Sequence, residues 1–233
     1  MTDYVGIDFE TANGTPGSIC SFGAAWVGDD GAIRTHEIIT RLHPDAGVQE
    51  NTWIHGITSA ETLFGEDFAE VQDWLREAYN AGVVLVAHSA FDRTAYVAAC
   101  RLHGFEPLEF DWVDSLKTSR RVYGLPSNKL SVVAEHLGIE FEHHRADEDA
   151  RVALEIFLRD GDPKLDALGA SGKRKQPRTV EAVTEPLTAE YPVVAGKGRA
   201  KIDWRYVLSV GMAGGMVGAA LLAVILKVTG VVG

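Results

Sequence analysis

Asp8 and Glu10 stand on either side of Phe9 at the close of the apolar run Tyr4-Val5-Gly6-Ile7. Side chains two apart on a β-strand share a face, so this spacing predicts a strand that presents two carboxylates on one side. Val5, Ile7 and Phe9 then face the other way. Paired hard oxygen ligands suit Mg²⁺ or Mn²⁺. Two later stretches carry related groups. His88-Ser89-Ala90-Phe91-Asp92 follows the apolar Val83 to Ala87 run and places Asp92 at a strand-to-helix junction, where side chains of α/β sheets commonly converge. In His143-His144-Arg145-Ala146-Asp147-Glu148-Asp149, His144 falls in a loop and Asp149 in the first turn of a helix. An imidazole there can act as a base near neutral pH, and the carboxylate as a ligand. Several carboxylates gathered together make little sense in a purely structural core. Like charges raise one another's pKa, and desolvation adds to the cost unless a cation offsets both.

Three kinds of element must position these groups. The opening strand is followed by a second near Ile19 to Val27 and a third near Ala32 to Leu42, with Gly28-Asp29-Asp30-Gly31 as the turn between them. A helix is expected over Phe68 to Asn80, then the buried strand Val83 to Ala87, then a helix from Asp92 to His103 closed by Gly104. Leu130, Val133, Ala134 and Leu137 recur at helical spacing between Asn128 as N-cap and Gly138 as stop. A last helix should run from Asp147 to Arg159. Early antiparallel strands followed by alternating helices and strands predict a mixed-sheet α/β domain.

Among the 233 residues are only two cysteines, Cys20 and Cys100, without metal-ligand spacing, so both are expected to be reduced and buried. The opening residues lack a basic, apolar leader, which argues against export. Through Ala170 there are 13 Lys and Arg against 29 Asp and Glu. So acidic a domain does not hold nucleic acid by phosphate neutralisation alone, and a phosphate substrate must be met largely by bound metal.

The three chemical stretches together resemble the DEDDh family of 3′-to-5′ exonucleases, which includes the proofreading epsilon subunit of bacterial DNA polymerase III. Asp8-Phe9-Glu10-Thr11 is similar to the first motif, Phe91-Asp92 ends the second, and His144 with Asp149 five residues on forms the third. The likeness covers about Asp3 to Phe157 and is strongest to epsilon-like domains, on Asp8 to Asn13 and Ser18 to Ser21. It implies a ribonuclease H-like fold, a mixed sheet flanked by helices, and hydrolysis with two divalent ions, Mg²⁺ or Mn²⁺. By the same resemblance Asp8, Glu10 and Asp149 hold one ion, Asp8 bridges to the second, Asp92 binds through water, and His144 takes a proton from the attacking water. Thr11 and the His55-Gly56-Ile57 segment are implied to lie against the terminal nucleotide. The second motif departs from the usual pattern: Ser89 stands where relatives carry Asn, and the stretch is one residue shorter. His88 is therefore expected to be structural or a peripheral contact. The implied substrate is nucleic acid, DNA before RNA. An RNA-directed enzyme and a catalytically silent nucleic-acid-binding module are the alternatives.

Residues 1–165 are expected to form the catalytic domain and residues 166–205 a flexible linker with basic clusters, punctuated by Pro177, Pro186 and Pro192. Residues 206–228 are expected to form a single transmembrane helix. Val207 to Leu226 carries no charge over twenty residues, enough to cross a hydrocarbon core of ~30 Å. Lys197, Arg199, Lys201 and Arg205 precede it, which puts the large domain on the cytoplasmic side of the cell membrane. Gly211, Gly214, Gly215 and Gly218 give two GxxxG spacings that can support a homodimer. No sequence motif points to a polymerase partner.

Overall fold

The computed structural model describes residues 3–168. Five strands form one sheet: β1 (Tyr4–Thr11), β2 (Ile19–Val27), β3 (Ile33–Ile39), β4 (Val84–Ala87) and β5 (Trp112–Asp114), in the order β3-β2-β1-β4-β5. β1 pairs antiparallel with β2 and parallel with β4, so the sheet is mixed, as its sequence pattern predicts. The helices are α1 (Thr52–His55), α2 (Ser59–Leu63), α3 (Phe68–Ala81), α4 (Phe91–His103), α5 (Ser115–Val122), α6 (Leu130–Leu137) and α7 (Ala146–Asp160). Glycines in the left-handed conformation close α3, α4 and α6, at Gly82, Gly104 and Gly138, where a side chain would be strained.

Apolar layers cover both faces of the sheet. On one face Phe9 packs on Phe22 and on Tyr96 of α4, and Phe22 meets Trp74 of α3 edge-on. On the other, Ala25, Val86 and Val113 pack against Ala150, Leu154 and Phe157 of α7. Each large side chain buried this completely contributes about 1.5–3 kcal/mol. That second face explains why the parallel strand β4 is apolar throughout rather than alternating.

Two sequence expectations need correcting. Asn128 does not cap α6: the cap position is Lys129, with no side-chain hydrogen bond. The Asn128 carbonyl instead accepts from His88 Nε2 at 2.9 Å. The domain also continues past 165. Asp114 N donates to the Asp166 carbonyl and Leu168 N to that of Trp112, both at 2.9 Å, while the Asp166 side chain is 1% exposed. These bonds cover the otherwise open edge of β5, which is why residues 166–168 belong to the fold. The rest of the expected linker and the expected membrane helix at 206–228, with its GxxxG glycines, lie outside the described residues. Among the described residues no helix is long and apolar enough to cross a membrane.

Candidate active site

The site is built where α7 is pressed against the middle of the sheet. Gly6 and Gly23 permit the approach. A Cβ at Gly6 would run into the Ala150 carbonyl oxygen, and one at Gly23 into the Ala146 backbone. Gly6, Asp8 and Glu10 alternate onto one face of β1, and Gly23 lies opposite Asp8 on β2. Because α7 sits so close, its first turn delivers Asp149 to the two carboxylates of β1. Ligand atoms of Asp8, Glu10 and Asp149 lie within 4.8 Å of one another. Asp92 comes from the first turn of α4, beyond the end of β4, the neighbour of β1. Ligands of α/β sheets bind in such a crevice, outside the carboxyl ends of adjacent strands. Its Oδ1 accepts from Phe9 N at 3.2 Å, which fixes it on the strand between Asp8 and Glu10.

The electrostatics of this group are those of a cation site. Burial, then the charges of Asp92, Asp149 and Glu10, push the Asp8 carboxyl well above its ordinary value. Burial and neighbouring carboxylates lift Glu10 to about 8. Burial carries Asp92 to about 7 against the opposing Phe9 N–H, and Asp149 is raised chiefly by burial, with His143 pulling it down. Without a cation, burial and mutual repulsion favour the protonated forms of these groups. With one, each can ionise and serve as a hard oxygen ligand, so the donor set fits divalent metal.

His144 lies beside this cluster, its Nδ1 3.8 Å from Glu10 Oε1. Burial and then the neighbouring His143 lower its pKa from the usual imidazole value, so it is neutral at neutral pH and has a lone pair free for a proton. Its backbone is in the left-handed region at φ 67°, alone in this among the described non-glycine residues. The His144 N–H donates to Asp149 Oδ2 at 3.2 Å, which couples the loop to the helix that carries the carboxylate.

Comparison with known proteins adds the decisive observation: the family model for exonucleases termed RNase_T matches residues 5–157. The chain belongs to this exonuclease family. The match supports an exonuclease domain of the DEDD type with a ribonuclease H-like fold. Two DNA polymerase III PolC-type proteins are similar. That of Thermotoga petrophila is 32% identical over 167 residues, covering 67% of this chain and 12% of the relative. That of Caldanaerobacter subterraneus is 28% identical over 164 residues, with 67% and 11% covered. The chain thus spans about an eighth of the length of these curated relatives. A structure titled as 3′-end recognition of a histone mRNA stem-loop by a 3′-exonuclease superposes with a TM-score of 0.58 at 18% identity, covering 72% of this chain and 85% of that one. Exonuclease X in complex with 5′ overhanging duplex DNA gives 0.52 at 22% identity, covering 70% and 97%. At these identities the two structures share the fold.

The other exonuclease residues expected from sequence fall into two groups. The Thr11 carbonyl accepts from Asn51 Nδ2 at 2.9 Å and lies 3.3 Å from His55 Nε2, so α1 is tied to the strand one residue beyond Glu10. Burial lowers the His55 pKa against the opposing hydrogen bond to the Thr11 carbonyl. Gly56 is exposed at φ 79°. Ile57, however, is 7% exposed and packs with Ala12 and Cys20. Its side chain is part of the core rather than a surface for a base. His88 is structural: burial lowers its pKa to about 4, so it is neutral. With Nε2 donating to Asn128, Nδ1 accepts from Ser115 Oγ at 2.8 Å. Ser89, the departure in the second motif, accepts from Phe91 N at 3.1 Å and so starts α4 in register for Asp92. Two neighbours of the site were passed over in the sequence. His143 Nδ1 lies 3.1 and 3.2 Å from the two Asp149 oxygens, and Glu37 of β3 adds to the charge felt by Glu10. A strand-face alignment of β1, β2 and β3 would have found Glu37, since it pairs with Gly23. No spacing rule would have found His143.

Proposed function

We propose that this chain removes nucleoside 5′-monophosphates from the 3′ end of single-stranded or frayed DNA, using two divalent ions, Mg²⁺ or Mn²⁺. The observation that carries this reading is the convergence of Asp8, Glu10 and Asp149 within 4.8 Å beside the neutral imidazole of His144. Asp8, Glu10 and Asp149 hold the ions, with Asp92 in support, and metal bound there supplies positive charge that activates water and stabilises the departing 3′ oxygen. His144 accepts the proton of the attacking water. Glu10 Oε1, 3.8 Å from its Nδ1, favours the imidazolium that results. The left-handed turn at His144 and the bond from its N–H to Asp149 keep the base and the carboxylate in one frame. The exposed backbone at Gly56 offers a close approach for the terminal nucleotide, with Thr11 and His55 beneath it. Kinship with PolC-type DNA polymerases favours DNA.

The same reading includes a tether. The uncharged Val207 to Leu226 stretch and the basic residues before it support a single membrane span with the exonuclease domain on the cytoplasmic face.

The direct test is the full chain with 5′-labelled DNA and RNA oligonucleotides of matched sequence, in Mg²⁺ and in Mn²⁺. Progressive shortening of DNA from the 3′ end, lost in Asp8→Ala, is expected. Faster RNA degradation would reverse the substrate assignment, and equal digestion by Asp8→Ala would overturn the site.

A further inference from the structure

We infer that His143, His144 and Asp149 form a binding site for one transition-metal ion of the Zn²⁺ type, and that filling it switches the nuclease off. Adjacent residues of an extended chain point to opposite sides. Here the left-handed His144 turns its ring back over that of His143, with centroids 3.8 Å apart and planes 20° from parallel. A non-glycine residue holds that conformation at a cost of roughly 1–3 kcal/mol, and such strain clusters at functional sites. The result is two imidazoles presented together to a carboxylate. Ligand atoms of all three residues lie within 4.8 Å of one another, and His143 Nδ1 is already 3.1 Å from Asp149 Oδ1. Around a tetrahedral ion with bonds of about 2.0–2.1 Å, ligand atoms sit roughly 3.3 Å apart, so binding requires the two stacked rings to open and turn their in-plane lone pairs to a common point beside Asp149. The histidine side chains are 36% and 41% exposed, which leaves a path for the ion and a fourth position for water.

The chemistry of this set differs from that of the carboxylate cluster beside it. Two imidazoles and one carboxylate select Zn²⁺, Co²⁺ or Ni²⁺, whereas Mg²⁺ prefers oxygen throughout. The two sets overlap in Asp149 and adjoin at His144. An ion held by the histidines takes the lone pair that the base needs and draws a carboxylate away from Asp8 and Glu10. Zinc binding and hydrolysis thereby exclude one another. The ion site stands on geometry alone, and only its inhibitory consequence rests on the nuclease reading above.

The test is calorimetric titration of the full chain with ZnCl₂ in saturating Mg²⁺. One site per chain is expected. His143→Asn keeps a donor where Nδ1 now meets Asp149, and so preserves that hydrogen bond, but an amide is a poor zinc ligand. Its Zn²⁺ affinity should fall at least tenfold, as should that of His143→Ala, and the visible absorption of a bound Co²⁺ probe should be lost in both. Oligonucleotide digestion, compared with each protein's own zinc-free rate, should require at least tenfold more Zn²⁺ for half-inhibition in His143→Asn. Absence of Zn²⁺ binding to the wild type, or unchanged affinity in both variants, would overturn the site; equal zinc sensitivity of wild type and His143→Asn would overturn the switch. Zinc bound through His143 in a protein inert in both Mg²⁺ and Mn²⁺ would confirm the ion site and count against the nuclease reading instead.

Discussion

His144 and Asp149 are five residues apart in the chain, yet one hydrogen bond and one left-handed backbone angle set the distance between the imidazole and the carboxylate. Replacing His144 by Asn removes the proton acceptor while leaving the carboxylates, so turnover should drop by roughly 10²–10⁴-fold with Mn²⁺ binding retained. Single-turnover digestion alongside a metal titration separates the two. The carboxylates themselves predict a pH effect. Glu10 is raised to about 8 and Asp92 to about 7 in the metal-free protein, above the values near 4 expected in the unfolded chain. The folded state then binds more protons than the unfolded one across that window. Stability contributed by these groups is full below pH 4 and is lost progressively as pH rises towards 8. Divalent metal removes the penalty, so the increase in Tm on adding Mn²⁺ should be larger at pH 8 than at pH 6. An increase that is equal or smaller at pH 8 would show that the crowded carboxylates are not where the ion binds. The motif residues were legible because their types and offsets repeat a known order. Ile57 was misjudged because its turn into the Ala12 and Cys20 cluster depends on distant packing.

At the scale of elements, the site depends on how near α7 can come to β1 and β2. Gly23→Ala would place a methyl group in the Ala146 backbone. Overpacking of this kind costs about 1–3 kcal/mol, and here the strain falls at the end of α7 that carries Asp149. Both chemical stability and metal affinity should therefore fall, by denaturant titration and calorimetry, and activity more than stability. The same change at Gly56 meets no atom within 4 Å and is opposed only by its φ of 79°, so it offers a comparison without the clash. The strands and long helices were readable from alternation and helical spacing, down to the glycine stops. What escaped were the short helices α1 and α2, β5, three residues long, and α5, whose buried residues Ser115, Thr118 and Ser119 carry hydroxyls. A polar buried face leaves no apolar period to detect. The cap of α6 was missed for a related reason: Asn128 has its carbonyl engaged by His88, forty residues away in sequence.

For the molecule as a whole, the acidic domain and the apolar C-terminal stretch make separable demands. Deleting residues 206–233 should move the protein from the membrane to the soluble fraction with exonuclease activity unchanged, as read by fractionation and oligonucleotide digestion. Persistent membrane association would refute the tether. The sequence exposes this division through composition alone, since charge changes sign between the two parts. The seam at Asp166 to Leu168 has a mechanical consequence. Asp166 receives hydrogen bonds from Thr118, Arg121 and Asp162, and its neighbours zip onto β5, at the margin of the sheet furthest from β3 and two strands from β1. Tension pulling on the chain beyond Leu168 would enter the fold at that margin and peel those bonds first, leaving Asp8 and Glu10 undisturbed until the seam gives way. An enzyme moored by its tail could in this way be tugged without losing its aim.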